Sequence, residues 1–286
     1  MISASLGAVV EEYRAKGVPA IARHGGVQDH LPDVLQVADG MPLLLFLDPC
    51  GALIPFEVLA GLLAGPRRAQ RPPTEVLLNF SAGLTRRSAG ALYAGQRDHD
   101  GIVALNVACG GDWWQDVAMD ARRTATNFEA AAEAVATEYA RRLGKAAGAR
   151  HVAIPVRKRQ HQQPIYHLVF CTRSPYGQWV FGASVASARQ VWLRHLGDDD
   201  SDQSETLFGD RTESAIGWEQ ERAQAQVERN LQELLTGHRP FRLVDYAAGV
   251  LADVYGVATE ETVKNAVLSL ERRRHLRVLS LDQPSI

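Results

Sequence analysis

Five consecutive apolar residues, Leu43-Leu44-Leu45-Phe46-Leu47, stand between Pro42 and Asp48. A run of this length is strand-sized. Apolar character at successive rather than alternate positions predicts a strand buried on both faces, as in a parallel sheet with helices on either side. The surroundings agree. Leu6, Val9, Val10 and Tyr13 follow a helical spacing that Gly17 and Pro19 end. Ala20 to Arg23 reads as a short strand closed by Gly25-Gly26, and Leu31, Val34 and Leu35 mark a second short helix. Beyond the apolar run, Phe56, Leu59, Leu62 and Leu63 predict a helix, and Glu75 to Phe80 another strand. Helices alternating with buried strands predict an α/β fold with a doubly wound sheet.

The pattern weakens between Ser88 and Asp120, where Asp112-Trp113-Trp114 marks a helix start. A long helix then runs from Asn127 to about Lys145, with Phe128, Ala131, Ala132, Val135 and Tyr139 on one face. The strands His151 to Arg157 and Ile165 to Thr172, joined by a turn, fit an antiparallel pair at the end of a mixed sheet. Gln178 to Leu196 reads as a helix.

The acidic stretch Asp198-Asp199-Asp200-Ser201-Asp202 changes the character of the chain. It reads as a linker or loop over 198–217. The tail, 218–286, carries three helical patterns: Val227 to Leu235, Val244 to Val254, and Val263 to Leu270. Gly237 and Gly256 separate them, and Val278 to Leu281 reads as a short strand. Three helices and a strand suit a winged-helix-like unit. The organisation is thus an α/β domain over 1–197, an acidic linker over 198–217 and a helical winged-helix-like domain over 218–286.

Bulk properties exclude several classes. A net charge of -2 over 286 residues gives no global pull toward nucleic acid or an anionic surface. No apolar run approaches the roughly 20 residues that span a bilayer, so no membrane partner is expected. Cys50, Cys109 and Cys171 are far apart and odd in number. That argues against a disulfide framework or a zinc site, and points to a reducing, cytoplasmic setting.

The strand of the opening argument ends in Asp48-Pro49-Cys50-Gly51. An acid and a proline at the carboxyl end of a parallel strand lie where open α/β sheets bind ligands. Amino-methyltransferases that act on nucleobases place an Asp or Asn before prolines in the same layout. There a side-chain oxygen and a backbone carbonyl accept the hydrogens of an amine, and the base is extruded to reach them. Asp48 and Pro49 are therefore the candidate catalytic residues. The alternative is a strand-end acid capping the next turn. Cys50 stands where an aromatic residue would stack on a base.

More closely still, the segment resembles the three-Cys-motif partner family (TcmP). The resemblance extends through Ile54-Pro55-Phe56-Glu57, Glu75-Val76-Leu77-Leu78-Asn79-Phe80 with Arg86 or Arg87 after it, Gly110-Gly111-Asp112-Trp113-Trp114, Pro164 to Arg173, and the helical tail. It implies a Rossmann-like methyltransferase fold and a separate three-cysteine-motif protein as partner. The family's name refers to the partner's cysteines, not to those of this chain. The family also places a glycine loop and a ribose-binding acid ahead of the helix with which this chain begins. The expected sheet is therefore partial, with either a miscalled start or a decayed remnant behind it. No cofactor is expected for the chain as it stands, and S-adenosylmethionine only if that N-terminal half is restored.

Remaining candidates are basic. Arg67 and Arg68, with Arg71, lie in a proline-bearing segment. Arg157 and Lys158, with Arg159 and His161, lie at a hairpin tip. Lys264, Arg272, Arg273 and Arg274 lie on the last helix. Each group is either a set of phosphate contacts or a solvated face, and cations at a helix end also suit its dipole. Trp113-Trp114 either stacks on a base or packs in the core. His167, in mid-strand, is read as a core or sheet-face residue. Two functions follow: an accessory or interaction protein with weak DNA binding in its tail, or a methyltransferase acting on a nucleic-acid amine.

Overall fold

The computed structural model describes residues 2–49, 54–65, 67, 74–125, 127–201, 209–237 and 240–279. It is a mixed α/β structure built on one four-stranded sheet, β1 (Leu43–Leu47), β2 (Thr74–Ser81), β3 (Arg150–Val156) and β4 (Tyr166–Thr172), in the order β1-β2-β4-β3. β1 and β2 are parallel, with Leu45 beside Val76 and Leu47 beside Leu78. β4 is antiparallel to both β2 and β3. Three strands therefore run one way, and the fourth is reversed and inserted between two of them.

Register and alternation set the faces. Leu45, Leu47, Val76, Leu78, Phe80, Val169 and Cys171 point to one side and are buried there. Helices α3 (Phe56–Ala64), α4 (Ala82–Tyr93), α5 (Asp100–Cys109), α6 (Trp113–Thr124) and α7 (Phe128–Ala147) contribute to the same core. α7 is its axis. Asn127 caps it by accepting from the Glu129 and Ala130 amides at 3.1 and 3.3 Å, and its buried face runs Ala131, Ala132, Val135, Ala136, Tyr139 and Leu143. Tyr139 meets Phe80 and Phe56 ring to ring, with centroids 4.7 and 5.8 Å apart.

On the opposite side of the sheet, α8 (Pro175–Ser201) stacks Phe181 on Phe170 of β4 at 4.2 Å. α8 also links to a second core, formed by α9 (Gly209–Gly237), α10 (Ala247–Leu251) and α11 (Glu260–Arg272) around Val227, Leu231, Val250, Val263 and Leu270. Trp179 of α8 packs against that core. Gly256 makes the turn before α11 at φ 73°, and a Cβ there would meet Val185 of α8 at 2.8 Å. Only glycine satisfies both conditions.

Several expectations need correction. Ala20 to Arg23 is not a strand: it lies beside no other strand, and Ile21 is 75% exposed. β1 is not buried on both faces, because Leu44 and Phe46 are each 60% exposed. The acidic stretch is not simply a linker. α8 runs through Ser201 and α9 begins at Gly209, while 202–208 lie outside the described residues. Arg189–Glu219 and Arg194–Glu213 ion pairs, both 2.7 Å, join the two helices. The middle helix of the tail is broken into 3-10 turns on either side of α10. Val278 and Leu279 are not in a strand, and Ser280 and Leu281 lie outside the described residues. The Val278 amide is instead occupied by Glu271 Oε1 at 3.0 Å.

α11 begins as its sequence indicates, with Thr259 Oγ1 accepting from the Thr262 amide at 3.2 Å. It ends in a Schellman turn: His275 N donates to Leu270 O at 2.9 Å, and Arg274 stands at φ 61°, in the left-handed region. A left-handed residue with a Cβ costs about 1 kcal/mol relative to glycine. Arg274→Gly is therefore expected to raise unfolding free energy by roughly 0.5–1 kcal/mol in urea titrations. A loss of stability would show that the Arg274 side chain holds the turn.

Candidate functional site

The parallel strands β1 and β2 end side by side, and open α/β sheets bind ligands at such carboxyl ends. β1 delivers Asp48 one residue past the Leu47–Leu78 pairing, level with Asn79 of β2. Asp48 is exposed, Pro49 is half-buried, and Cys50 lies outside the described residues. Asp48 forms no hydrogen bond or ion pair among the described residues. Asn79 Oδ1 is buried without a hydrogen-bond partner, and an orphaned amide oxygen costs on the order of 1–3 kcal/mol. β2 passes into α4 without a loop. Ser81 Oγ accepts from the Leu84 amide at 3.2 Å, and Thr85 Oγ1 donates to Ser81 O at 2.9 Å.

On the other side of β2 a charged cluster closes the sheet end. Arg86 of α4 donates to Pro164 O at 2.6 Å, and burial lowers its pKa. Arg157 pairs with Glu129, in the first turn of α7, at 2.7 Å. His167 of β4 lies inside this cluster, 1% exposed, with neither ring nitrogen hydrogen-bonded. Burial pushes its pKa down to about 4, helped by the Arg157 and Arg86 charges and opposed by Glu129. A neutral imidazole without access or partners does no proton transfer, so His167 is a core residue. Asp48, by contrast, offers an exposed carboxylate, which can accept hydrogens from an amine.

The other candidates disperse. Arg67 is 2% exposed and its donors are used internally, through Thr74 Oγ1 at 2.8 Å, Ala38 O at 2.6 Å and Met41 O at 2.9 Å. The expectation that it meets phosphate is corrected on that ground. Arg68 lies outside the described residues. Arg157 is turned to Glu129, while Lys158 stays exposed and its carbonyl accepts from Trp192 Nε1 at 3.3 Å. Lys264 faces Glu261 at 3.5 Å and Arg273 reaches Glu228 at 3.1 Å. Arg272 and Arg274 are exposed. The described basic candidates thus belong to different elements, and several are engaged with partners of their own.

Both indoles of the Trp pair are engaged structurally. Trp114 is buried and donates to Asn106 Oδ1 at 2.8 Å; Trp113 donates to Cys109 O at 2.8 Å beneath the Arg142 guanidinium, 4.2 Å from its ring. Cys109 and Cys171 are free, buried thiols, and burial pushes Cys171 up to about 12. Neither is a nucleophile at neutral pH.

Sequence reading did not single out Asn79, Arg86 or Glu129 as neighbours of Asp48 or of His167. The available signal was an amide inside an otherwise apolar strand, Val76-Leu77-Leu78-Asn79-Phe80. Among the described residues no group of three His, Cys, Asp or Glu side chains could hold a metal, and no helix is long and apolar enough to cross a membrane. No family model, curated protein or solved structure matches the chain.

Proposed function

We propose that this chain is a three-Cys-motif-partner-like protein with a Rossmann-like, methyltransferase-like sheet, working as an interaction subunit. The observation that carries the reading is β1. It is an edge strand with Leu44 and Phe46 each 60% exposed. An apolar edge of this kind is a surface made to be covered. The sheet supports the methyltransferase-like part: a parallel pair joined through a helix, then a reversed strand inserted one place in from the edge. The tail contributes a helix-turn-helix-like unit from α10 and α11, whose exposed Arg272 and Arg274 suit weak, salt-sensitive contact with DNA. The resemblance supplies a three-cysteine-motif protein as the partner.

Among the described residues, the early glycine pair is not open to S-adenosylmethionine. The early glycine pair starts α2 (Val27–Val37), and a Cβ on Gly25 would meet His30 Nε2 at 3.1 Å, so a side chain already closes over it. A second reading, a methyltransferase on a nucleic-acid amine, rests on Asp48, exposed and unengaged at the carboxyl end of a parallel strand. Calorimetry separates the two. The chain is expected to give no binding heat with S-adenosylmethionine up to about 1 mM, a limit near -4 kcal/mol. A micromolar dissociation constant would overturn the interaction-subunit reading in favour of the enzyme.

A further inference from the structure

We propose that the tip of the β3–β4 hairpin and the first half of α4 form one surface that grips the phosphate backbone of a nucleic acid, with Arg87 and Lys158 as its exposed contacts. This surface is distinct from the tail, and it depends on neither methyl transfer nor a three-cysteine-motif partner.

Topology brings the two segments together. β4 enters the sheet beside the carboxyl end of β2, with Tyr166 opposite Ser81, and β3 leaves it with Val156 opposite Tyr166. The tip, 157–165, therefore stands at the sheet end where β2 passes into α4. It carries Arg157 and Lys158, and α4 carries Arg86 and Arg87. Neither segment contains an acidic residue. The carboxylate that acts on both Arg86 and His167 is Glu129, and Arg157 already holds it at 2.7 Å. Arg159 is not counted, because it has a partner of its own. Among the described residues, the side chains of Arg87 and Lys158 make no hydrogen bond or ion pair, and both are exposed. A chain of net charge -2 thus gathers one sign of charge here. Such a local field attracts an anionic ligand.

The tip is braced. Arg86 donates to Pro164 O at 2.6 Å, Arg157 is tied to α7 through Glu129, and Trp192 of α8 donates to the Lys158 carbonyl at 3.3 Å. A braced cation loses little conformational freedom on binding. The contacts sit on two elements of an open surface, so they suit an extended ligand with repeated anions rather than one small phosphate. The apex between them is Gln160, His161, Gln162 and Gln163, all exposed. Amides and an imidazole hydrogen-bond to phosphate, sugar and base edges. They do not enter a lipid surface, which takes apolar side chains beside the basic ones.

The test is fluorescence anisotropy with a labelled oligonucleotide, single-stranded in one series and annealed to its complement in another. The two series tell which form of the backbone is taken. Dissociation constants of roughly 10⁻⁴ to 10⁻⁶ M are expected, weakening steeply with salt. Arg87→Ala/Lys158→Ala is expected to raise the dissociation constant about tenfold or more, and to flatten the slope of log affinity against log salt by about 1.4 for the single strand or about 1.8 for the duplex. Arg87→Lys/Lys158→Arg keeps both charges and is expected to keep the slope. Both side chains are exposed, so circular dichroism and the unfolding midpoint should match wild type in both variants. Arg272→Ala/Arg274→Ala, which removes the tail's share, is expected to weaken binding less. A larger loss there than in Arg87→Ala/Lys158→Ala overturns the proposal and leaves the tail's contact standing. So do wild-type slopes in Arg87→Ala/Lys158→Ala. No binding to either oligonucleotide overturns it as well, as does preferential capture on phosphatidylglycerol vesicles.

Discussion

Arg67→Ala is expected to destabilise the fold by about 3–5 kcal/mol, because it leaves three acceptors of a buried side chain without their donors. The guanidinium is 2% exposed, and among the described residues it forms no ion pair. Its three donors go to Ala38 O, Met41 O and Thr74 Oγ1. These acceptors lie after α2, ahead of β1 and at the start of β2, so one side chain ties three segments at the amino ends of the parallel strands. The Arg67 carbonyl is held in turn by the Arg173 guanidinium, which also donates to Ala147 O at 3.1 Å. Truncation would strand two carbonyls and a hydroxyl, each costing on the order of 1–3 kcal/mol. With a urea slope of roughly 1–3 kcal/mol/M, the midpoint should fall by more than about 1 M. Arg67→Lys should recover only part of the loss, because an ammonium is a point charge and the three acceptors match a planar fork. Exposed Arg87 serves as the control, and Arg87→Ala should change little. A midpoint for Arg67→Ala that overlaps the wild type would mean that water replaces the guanidinium without cost.

How far the sequence discloses these features depends on whether their causes are local. β1 and β2 stand out as apolar runs between polar or proline boundaries, and Asn127 and Thr259 as caps, because each rests on neighbours in the chain. Asp48 is placed at the carboxyl end of β1 by nothing more than the end of a strand. What fails is set by distant partners. The apolar run does not disclose that Leu44 and Phe46 are each left 60% exposed. Ala20 to Arg23 has a strand-like pattern and, among the described residues, no strand to pair with. The acidic residues after Leu196 look like a loop by composition. Their backbone nonetheless continues α8, which pairs with α9 through Arg189 and Arg194. α4, rich in Ala, Gly and Ser, has too little hydrophobic contrast to announce its buried face of Ala82, Thr85, Ser88 and Ala89. Arg67 belongs with these. An arginine in a basic, proline-bearing stretch reads as solvent-facing until its acceptors are seen.

Stability should fall as pH drops from about 6.5 toward 4, and His167 should carry about 3 kcal/mol of that fall. The sign follows from which state binds the proton. Folded His167 titrates near 4, held down by burial first and then by Arg157 and Arg86, with Glu129 opposing. In the unfolded chain an imidazole titrates near 6.5. Above that pH both states are neutral and the group has no pH-dependent effect. Between the two values only the unfolded chain is protonated, and stability drops by about 1.4 kcal/mol per pH unit. Below about 4 the folded form takes the proton too, and the loss levels off. His167→Leu removes the titration while keeping an apolar side chain of similar volume on the buried face of β4. Because neither ring nitrogen makes a hydrogen bond, the variant should match wild type at pH 7.5 within about 1 kcal/mol. Urea midpoints at pH 7.5, 6 and 5 decide the matter. His151 and the carboxylates titrate alike in both proteins, so the difference between the two curves isolates His167. Parallel curves would mean that the imidazole reaches solvent or a proton acceptor in the folded state, and that the sheet end around Arg86, Glu129 and Arg157 is open rather than closed.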